Sequence, residues 1–323
     1  MEKYSNLRLL FWCVSMVLVL NSCSSESGYA KNEKVTELAK WAPFEIKIKD
    51  QKAIVGFVES PVPFEFDLTA NHHKNDIRLI ENVIGSDTPV RIFVYKGTSH
   101  IAKIEPATQN DILNYRKDLV SANSEIMNRP DPLLVSIFPD EAALANIYTM
   151  IVNNSCANTN FQEGCMTFQY ATDGCNARAH KMKQLLNANG YNCQKHYVFG
   201  GLLASAGTCC VQWIYHTAPL VLVRNSNNII EERILDPSLF ATAVTPEVWR
   251  AACQNMACVL NPDFEFEPVT YKTVPGIVFH YNPSSMSFRL DSDYFRTDCT
   301  LEVYQHQSGC AFPNPIPPDN CQN

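Results

Sequence analysis

The distribution of cysteine constrains this 323-residue chain more than any other feature of its sequence. Cys13 and Cys23 lie near the start, and none of the 13 cysteines occurs from Ser24 to Ser155. The others are Cys156, Cys165, Cys175, Cys193, Cys209, Cys210, Cys253, Cys258, Cys299, Cys310 and Cys321. A cysteine-dense segment is typical of a protein that folds in an oxidising compartment. We therefore expect a cysteine-free first part and a disulfide-rich second part.

The number of cysteines in the second part is odd, so at least one thiol has no intramolecular partner. Five disulfides would leave one thiol, either held in a mixed or intermolecular disulfide or kept as a nucleophile. Cys209 and Cys210 would point to opposite faces of a strand, which requires different partners for them. Three pairs are close enough in sequence for local bridges, although sequence does not fix the connectivity: Cys156/Cys165, Cys253/Cys258 and Cys310/Cys321.

Cys175 is the candidate for the unpaired thiol because it opens a predicted helix. Asp173-Gly174 forms a turn signal, and Asn189-Gly190 supplies a C-terminal stop. Apolar residues follow Cys175 at helical spacing: Ala179, Met182 and Leu186. The N–H groups and dipole at a helix start stabilise a thiolate, which lowers the pKa of a cysteine and makes it reactive.

The N-terminus predicts export. A short segment with Lys3 and Arg8 precedes an apolar run from Leu9 to Leu20, which is too short to span a bilayer, so residues 1–23 are expected to be a signal peptide. Leu20-Asn21-Ser22-Cys23 also resembles a lipoprotein box, although Asn21 departs from it. The protein is then secreted or lies in the cell envelope of a bacterium, with membrane attachment only if Cys23 is lipidated.

The composition fits an exported soluble protein better than a nucleic-acid-binding protein. The net charge is −7, and no cluster of Lys and Arg is interleaved with aromatic residues, so no nucleic-acid partner is expected. Hydrophobic residues make up 46% of the chain, which is enough for a core in each of two domains.

The cysteine-free segment is predicted to be a separate α+β unit. Strands are expected at 44–48, 53–58 and 90–95, and helices at 75–84 and 110–126. A linker at 128–132 ends the unit, because its two prolines cannot continue a helix. His72-His73 could bind a metal, but an exposed pair in a loop is the more common case.

No chemistry-bearing motif falls in this unit, so residues 24–133 are interpreted as a pro-segment; a permanent N-terminal domain is the alternative. The extended stretch from Val58 to Phe64 is expected to lie in the cleft of the second part, and it contains no glutamine. Cleavage is expected between about Met127 and Ile137, by a protease that the sequence does not identify.

The second unit is predicted to contain helices at 142–153 and 175–189 and a strand at 193–199. Strands at 211–224 and 229–235, joined by the polar turn Asn225 to Asn228, should form an antiparallel hairpin. With that turn centred on Ser226, His216 lies directly opposite Asp236 on one face. A pairing offset by one residue would put them on opposite faces.

Cys175, His216 and Asp236 together form a nucleophile, a base and an orienting carboxylate. Such a set attacks the carbonyl of an amide or ester. Singly, His216 could be a core histidine and Asp236 a turn cap before Pro237. Trp213 and Tyr215 flank the base and could wall the substrate pocket, but aromatic residues in a strand are more often core. Other histidines could compete as the base, although His180 should point away from Cys175: His180, His196, His280 and His306.

The motifs around these residues resemble the bacterial protein-glutaminases, which are secreted protein-glutamine deamidases. The similarity lies in Asp173 to Met182, Gly207 to His216 and Ile234 to Phe240. It implies a catalytic domain over residues 134–323 with an α+β fold related to the transglutaminase core and papain-like enzymes. It also implies a Cys175–His216–Asp236 triad, no cofactor, protein and peptide substrates bearing glutamine, and inhibition by the pro-segment until an activating protease cuts it. A monomer is expected.

Three alternatives remain open on the residues alone. A transglutaminase uses the same first half-reaction, with a lysine amine in place of water. A papain-like peptidase uses the same nucleophile on a peptide bond. A disulfide-rich secreted binding module would need Cys175, His216 and Asp236 to be structural.

Overall fold

The computed structural model describes residues 34–69, 73–121, 135–207, 209–255, 257–258, 269–313, 316–317 and 321. The predicted signal peptide with Cys23, His72, the linker, the boundary between 133 and 134 and most of the cleavage window lie outside these residues. Within them, no helix has both the length and the apolar character needed to cross a membrane. We refer to residues 34–121 as the N-terminal part and to residues 135–321 as the C-terminal part.

The N-terminal part contains two three-stranded antiparallel sheets, of order β1-β5-β6 and β2-β3-β4. Its strands are β1 (Val35–Trp41), β2 (Pro43–Lys49), β3 (Lys52–Phe57), β4 (Ser60–Asp67), β5 (Val90–Tyr95) and β6 (Ile101–Pro106). Helix α1 (His73–Val83) packs Ile80 into a core with aromatic residues such as Trp41 and Phe64. The alternating burial of β5, with Val90, Ile92 and Val94 buried, follows the period of a half-buried strand. The predicted α+β character of this part is confirmed.

The long helix predicted over 110–126 is wrong. Helix α2 covers only Gln109–Arg116, and Thr108 and Asp111 form a capping box at its start. The chain then becomes strand β7 (Leu119–Ser121), which pairs antiparallel with β14 (Ser287–Leu290). Strand pairing with a segment about 170 residues away overrides the local amphipathic pattern, which is a tertiary effect that periodicity does not report.

The C-terminal part is built on a five-stranded sheet of order β11-β10-β9-β12, with the two-residue strand β8 parallel to β10. Its strands are β8 (Ile137–Phe138), β9 (Gln194–Ala206), β10 (Cys209–Arg224), β11 (Ile230–Ile234) and β12 (Thr270–Pro275), and β13 (Val278–Asn282) pairs with β14 in another sheet. The helices are α3 (Glu141–Asn153), α4 (Cys175–Ala188), α5 (Pro246–Ala252) and α6 (Phe295–Tyr304). The predicted helices at 142–153 and 175–189 and the hairpin match α3, α4 and β10–β11.

Strand β7 of the N-terminal part completes the β13-β14-β7 sheet, so the two parts share a sheet. A buried cluster joins them as well. It contains Phe44, Val58 and Tyr115 from the N-terminal part and Cys175 and Tyr215 from the C-terminal part. The N-terminal part therefore shares a packed core with the predicted nucleophile.

The disulfides differ from the prediction of five bridges and one free thiol. Within the described residues, four bridges form: Cys156–Cys165, Cys209–Cys310, Cys210–Cys258 and Cys299–Cys321. Of the three local pairs, only Cys156/Cys165 is correct, whereas the different partners predicted for Cys209 and Cys210 are confirmed.

Among the cysteines that the structure describes, three are free and buried: Cys175, Cys193 and Cys253. Cys193 packs in an apolar cluster beneath α4, and Cys253 packs in another beside Trp249. Both fill space as small apolar side chains, which the parity of the cysteine count could not reveal.

Thiol titration tests this arrangement. Denatured, unreduced protein should show three reactive thiols among the cysteines from Cys156 onward, because burial protects these three from reagents only in the folded state. Peptide mapping of the alkylated protein should assign the label to Cys175, Cys193 and Cys253. A single labelled cysteine would contradict the structure and restore the five-bridge arrangement.

Candidate functional site

Cys175 is the first residue of helix α4, as the sequence predicts. Gly174, at the N-cap, has φ of 79°, and a Cβ there would meet Tyr304 Cδ2 at 3.0 Å. Glycine is the residue that adopts this left-handed conformation without strain. Arg178 Nη1 donates to the carbonyl oxygens of Tyr170, at 2.9 Å, and Asp173, at 2.6 Å, which fixes the turn before the cysteine. The thiol is therefore held at the N-terminal end of the helix.

His216 and Asp236 form a buried pair, with Nε2 of the imidazole 2.8 Å from Oδ2 of the carboxylate. The predicted register is wrong, because Arg224 pairs with Ile230 and the turn is centred on Asn227, one residue later than Ser226. When the centre of the turn moves by one residue, the residue opposite each position changes by two. Side chains two residues apart on a strand point to the same face. His216 and Asp236 are therefore not directly opposite, but they remain on the same face and meet beyond the last ladder pair.

Two tryptophans enclose this pair. The ring of Trp213 stacks on the His216 ring at 4.3 Å between centroids, and Trp249 of α5 stacks on it at 5.4 Å. Trp249 Nε1 also donates to Asp236 Oδ2 at 2.8 Å. The contribution of Trp249 could not be read from the sequence, because no motif links α5 to the hairpin. The two rings and this hydrogen bond restrict how the imidazole and the carboxylate can turn.

Cys175 lies against the same strand. The backbone N–H of Thr217, the residue after His216, hydrogen-bonds to the Cys175 sulfur. His216 Nδ1 is buried and has no hydrogen-bond partner among the described residues, so it is available to the thiol while Nε2 contacts Asp236. A cysteine at a helix start beside a His–Asp pair is typical of enzymes that use a cysteine nucleophile.

The electrostatics of the thiol differ from the expectation of a lowered pKa. Burial raises the pKa of Cys175 to about 12, although the charge of Arg178 and the Thr217 N–H favour the thiolate. Desolvation disfavours the charged form more than one hydrogen bond and a nearby charge stabilise it. Asp236 behaves differently. Burial raises its pKa, but the charge of His216 and the hydrogen bonds from His216 and the Trp249 N–H lower the pKa by more, so the net shift is downward. In the intact chain, the thiol is neutral and the carboxylate is ionised.

The N-terminal part covers the thiol with the tip of the β3–β4 hairpin. Val58 and Glu59 form its two-residue turn, whereas Ser60 to Phe64 of the predicted extended stretch lie in β4. Tyr215 Oη donates to the Val58 carbonyl at 2.9 Å, and Ser60 Oγ donates to Asp173 Oδ2 at 2.8 Å. A Cβ on Gly56 would meet Ile214 Cδ1 at 2.7 Å, so glycine permits this close approach.

A buried ion pair anchors the same hairpin. Glu59 Oε1 lies 3.7 Å from Arg289 Nη1 on β14, and it accepts a hydrogen bond from Tyr115 Oη. Burial raises the pKa of Glu59 to about 7, against the charge of Arg289 and the hydrogen bond from Tyr115. Burial likewise raises the pKa of Asp173 to about 6, against hydrogen bonds that include those from Gly174 and Ser60. The desolvation cost therefore exceeds the Coulombic gain at both carboxylates.

The competing histidines have partners elsewhere. His180 points away from the site, as predicted, and contacts Lys195 Nζ and the Asp291 carbonyl. His196 lies against Thr273, His280 packs on Phe279, and His306 lies near Phe161. His73 is buried in α1 with Asp76, so the prediction of an exposed loop pair is wrong for this residue.

Comparisons with known proteins give the family. A family model described as glutaminase matches residues 144–253. The crystal structure of a pro-protein-glutaminase is 34% identical, covers 88% of this chain and 97% of that chain, and superposes with a TM-score of 0.76. The NMR structure of protein-glutaminase from Chryseobacterium proteolyticum is 43% identical over 58% of this chain and 97% of that chain, with a TM-score of 0.51. No curated protein sequence is significantly similar to the chain.

The long match to the pro-form, at 34% identity over nearly all of both chains, extends through the N-terminal part. The chain belongs to the protein-glutaminase family. The predicted resemblance is confirmed, and so is the α+β fold with a pro-domain ahead of a disulfide-bonded catalytic domain.

The raised pKa of Glu59 predicts how the stability of the intact chain depends on pH. The carboxyl binds its proton more tightly when folded, so its contribution to the free energy of unfolding is complete below pH 4.5, the ordinary pKa. That contribution is lost as pH rises through about 7. Over this window the loss amounts to about 3 kcal/mol. Urea unfolding at several pH values should show a smaller decline for Glu59→Gln than for the unsubstituted chain.

Glu81→Gln, on an exposed position of α1, is the matched control and should keep the decline of the unsubstituted chain. An equal decline in Glu59→Gln would mean that Glu59 does not supply this pH dependence.

Proposed function

We propose that this chain hydrolyses the side-chain carboxamide of glutamine residues in proteins and peptides, producing glutamate and ammonia. In this proposal Cys175 is the nucleophile, His216 is the acid–base and Asp236 orients the imidazole. The observation that carries the assignment is the His216–Asp236 contact of 2.8 Å, with Nδ1 left free beside the strand residue that contacts the Cys175 sulfur. Membership in the protein-glutaminase family supports the reaction and the substrate class.

The first half-reaction forms a thioester. His216 Nδ1 takes the proton from the Cys175 thiol, and the sulfur attacks the carbonyl carbon of the glutamine side chain. The backbone N–H of Cys175, at the start of α4, is placed to stabilise the oxyanion, because it has no partner within the helix. The C–N bond then breaks as the imidazolium returns its proton to the leaving nitrogen, and ammonia departs.

The second half-reaction uses water. His216 takes a proton from the water as the oxygen attacks the γ-glutamyl thioester, and the thiol leaves with that proton. Asp236 stabilises the imidazolium in both halves, since its lowered pKa keeps it ionised. Trp213 and Trp249 hold the ring between them, so the same nitrogen faces the reacting atoms throughout.

The N-terminal part is the inhibitory pro-segment of this proposal, with residues 24–133 as the pro-segment and residues 134–323 as the catalytic domain. The hairpin tip covers Cys175 and raises its pKa to about 12, which removes the thiolate. The shorter match to the protein-glutaminase without a pro-form, 58% of this chain, is close to the extent of residues 134–323. An activating protease cuts between the two, and the enzyme then acts outside the cytoplasm as a monomer. Residues 1–23 serve as the export signal.

Deamidation by Cys175 can be measured directly. Intact mass spectrometry of a model protein after incubation with the activated enzyme should show about one mass unit gained per glutamine converted, with an equal yield of ammonia. Cys175→Ala and His216→Ala should lose this activity by about 10³-fold or more, because each removes a reacting group. Cys253→Ala is the matched control, since it removes another buried thiol.

The alternative reactions give different products in the same assay. A transglutaminase would join the model protein to an added primary amine, and a peptidase would create new N-termini. Either outcome without ammonia and a mass gain at glutamine would contradict the proposal.

Activation by cleavage makes a second prediction. The intact chain should have little activity, because the hairpin tip covers the thiol, and cleavage between about Met127 and Ile137 should raise the activity strongly. Limited proteolysis followed by mass spectrometry and an ammonia assay on each species tests this. Full activity in the uncut chain would show that the N-terminal part is a permanent domain instead.

A further inference from the structure

A chain of buried hydrogen bonds leads from the core of the C-terminal part to the hairpin tip. Tyr197 Oη lies 3.2 Å from Asn176 Oδ1 and 3.1 Å from the Phe279 carbonyl oxygen, and its proton is shared between these two acceptors. Asn176 Nδ2 donates to Tyr215 Oη at 2.7 Å. Tyr215 Oη in turn donates to the carbonyl oxygen of Val58 at 2.9 Å.

The direction of this chain defines what Tyr215 can bind. Because its oxygen accepts from the Asn176 amide, its single proton points to the hairpin. A hydroxyl that is buried without a partner bears the cost of desolvation, so any chain that covers Tyr215 must offer an acceptor at the place of the Val58 carbonyl. The sequence placed Tyr215 in the core, and its ring is buried, but its hydroxyl is directed into the cleft.

Asp173, two residues before Cys175, supplies the opposite polarity. Its Oδ1 accepts from the Gly174 N–H, and its Oδ2 accepts from Ser60 Oγ at 2.8 Å and Tyr304 Oη at 3.1 Å. The side chain is buried and makes these contacts beside the nucleophile. When the hairpin leaves and takes Ser60 with it, Asp173 Oδ2 can accept a hydrogen bond from another donor in place of the Ser60 hydroxyl.

We propose that Tyr215 and Asp173 bind the main chain of the substrate polypeptide, with the Tyr215 hydroxyl donating to a carbonyl and the Asp173 carboxylate accepting from an N–H. The two groups replace their contacts with Val58 and Ser60 by contacts with the substrate once the hairpin has left. This inference rests on the proposed function, in which the pro-segment occupies the substrate cleft.

A main chain offers both partners whatever its side chains are. Each residue except proline carries one N–H and one carbonyl. A donor and an acceptor near the nucleophile therefore hold a glutamine residue through its backbone, in any sequence context. They favour glutamine in a polypeptide over small amides that carry a carboxamide and no peptide groups.

Steady-state kinetics of the activated enzyme on a blocked peptide with one central glutamine test the pair. Tyr215→Phe should raise KM about fivefold to tenfold with kcat within twofold, because the hydrogen bond forms with substrate and transition state alike. Asp173→Asn should raise KM in the same way, because an amide nitrogen then faces the substrate N–H. Unchanged KM in Tyr215→Phe would overturn the inference, even where Asp173→Asn fails to fold.

Two variants are matched controls. Tyr281→Phe removes a hydroxyl from a ring of the same cluster, and Asp298→Asn removes a carboxylate from a surface ion pair with Lys181. Both should keep the KM of the unsubstituted enzyme, and a similar rise in KM in these controls would assign the effect to packing or charge and overturn the inference.

The uncut chain gives a second measurement. Alkylation of Cys175 should be faster in uncut Tyr215→Phe than in uncut Tyr281→Phe, because the hairpin tip loses its hydrogen bond at Val58. Equal alkylation rates would overturn the inference, since Tyr215 would then not hold the tip. Failure of the unsubstituted activated enzyme to release ammonia from the peptide would overturn the proposed function itself.

Discussion

The burial of the Cys175 sulfur determines the protonation state of this thiol in the intact chain. Cys175 stands where a helix start, a backbone N–H and a nearby arginine all favour a thiolate, yet burial raises its pKa to about 12. The groups that would activate the thiol are thus already in place in the intact chain. In the proposed function, burial of the thiol under the hairpin withholds activity, because desolvation acts against the charged form.

The hairpin that excludes water also satisfies the polar groups around the thiol. Because it buries Tyr215 and Asp173, it must replace the hydrogen bonds that water would make with them, and Val58 and Ser60 supply a carbonyl and a hydroxyl. Glu59 is less well matched, since its desolvation exceeds the attraction of Arg289. The contact between the two parts is therefore specific in its hydrogen bonds, while the buried Glu59–Arg289 ion pair adds little to affinity.

The sequence contains the local elements of this site and lacks the long-range ones. Helix α4 is readable because Asp173-Gly174 and Asn189-Gly190 give its start and stop, and the β10–β11 hairpin is readable from its turn. The stacking of Trp249, the β7–β14 pairing and the Cys209–Cys310 bridge join segments far apart in the chain. No local pattern encodes such contacts. Cys193 and Cys253 stay reduced because they are packed in apolar clusters, and a count of cysteines gives no information on packing.

Strand β7 gives the N-terminal part a second hold on the C-terminal part, through the ladder from Leu119 to Ser121 against β14. A cut in the linker leaves this ladder and the hairpin contacts untouched. The cut removes the tether and with it the high effective concentration of one segment at the other. The two segments become separate molecules, whose association weakens on dilution. Cleavage of the chain and opening of the cleft are then separate events. The cleft opens when the cut N-terminal part dissociates, and dissociation depends on how far the cleaved protein is diluted after release.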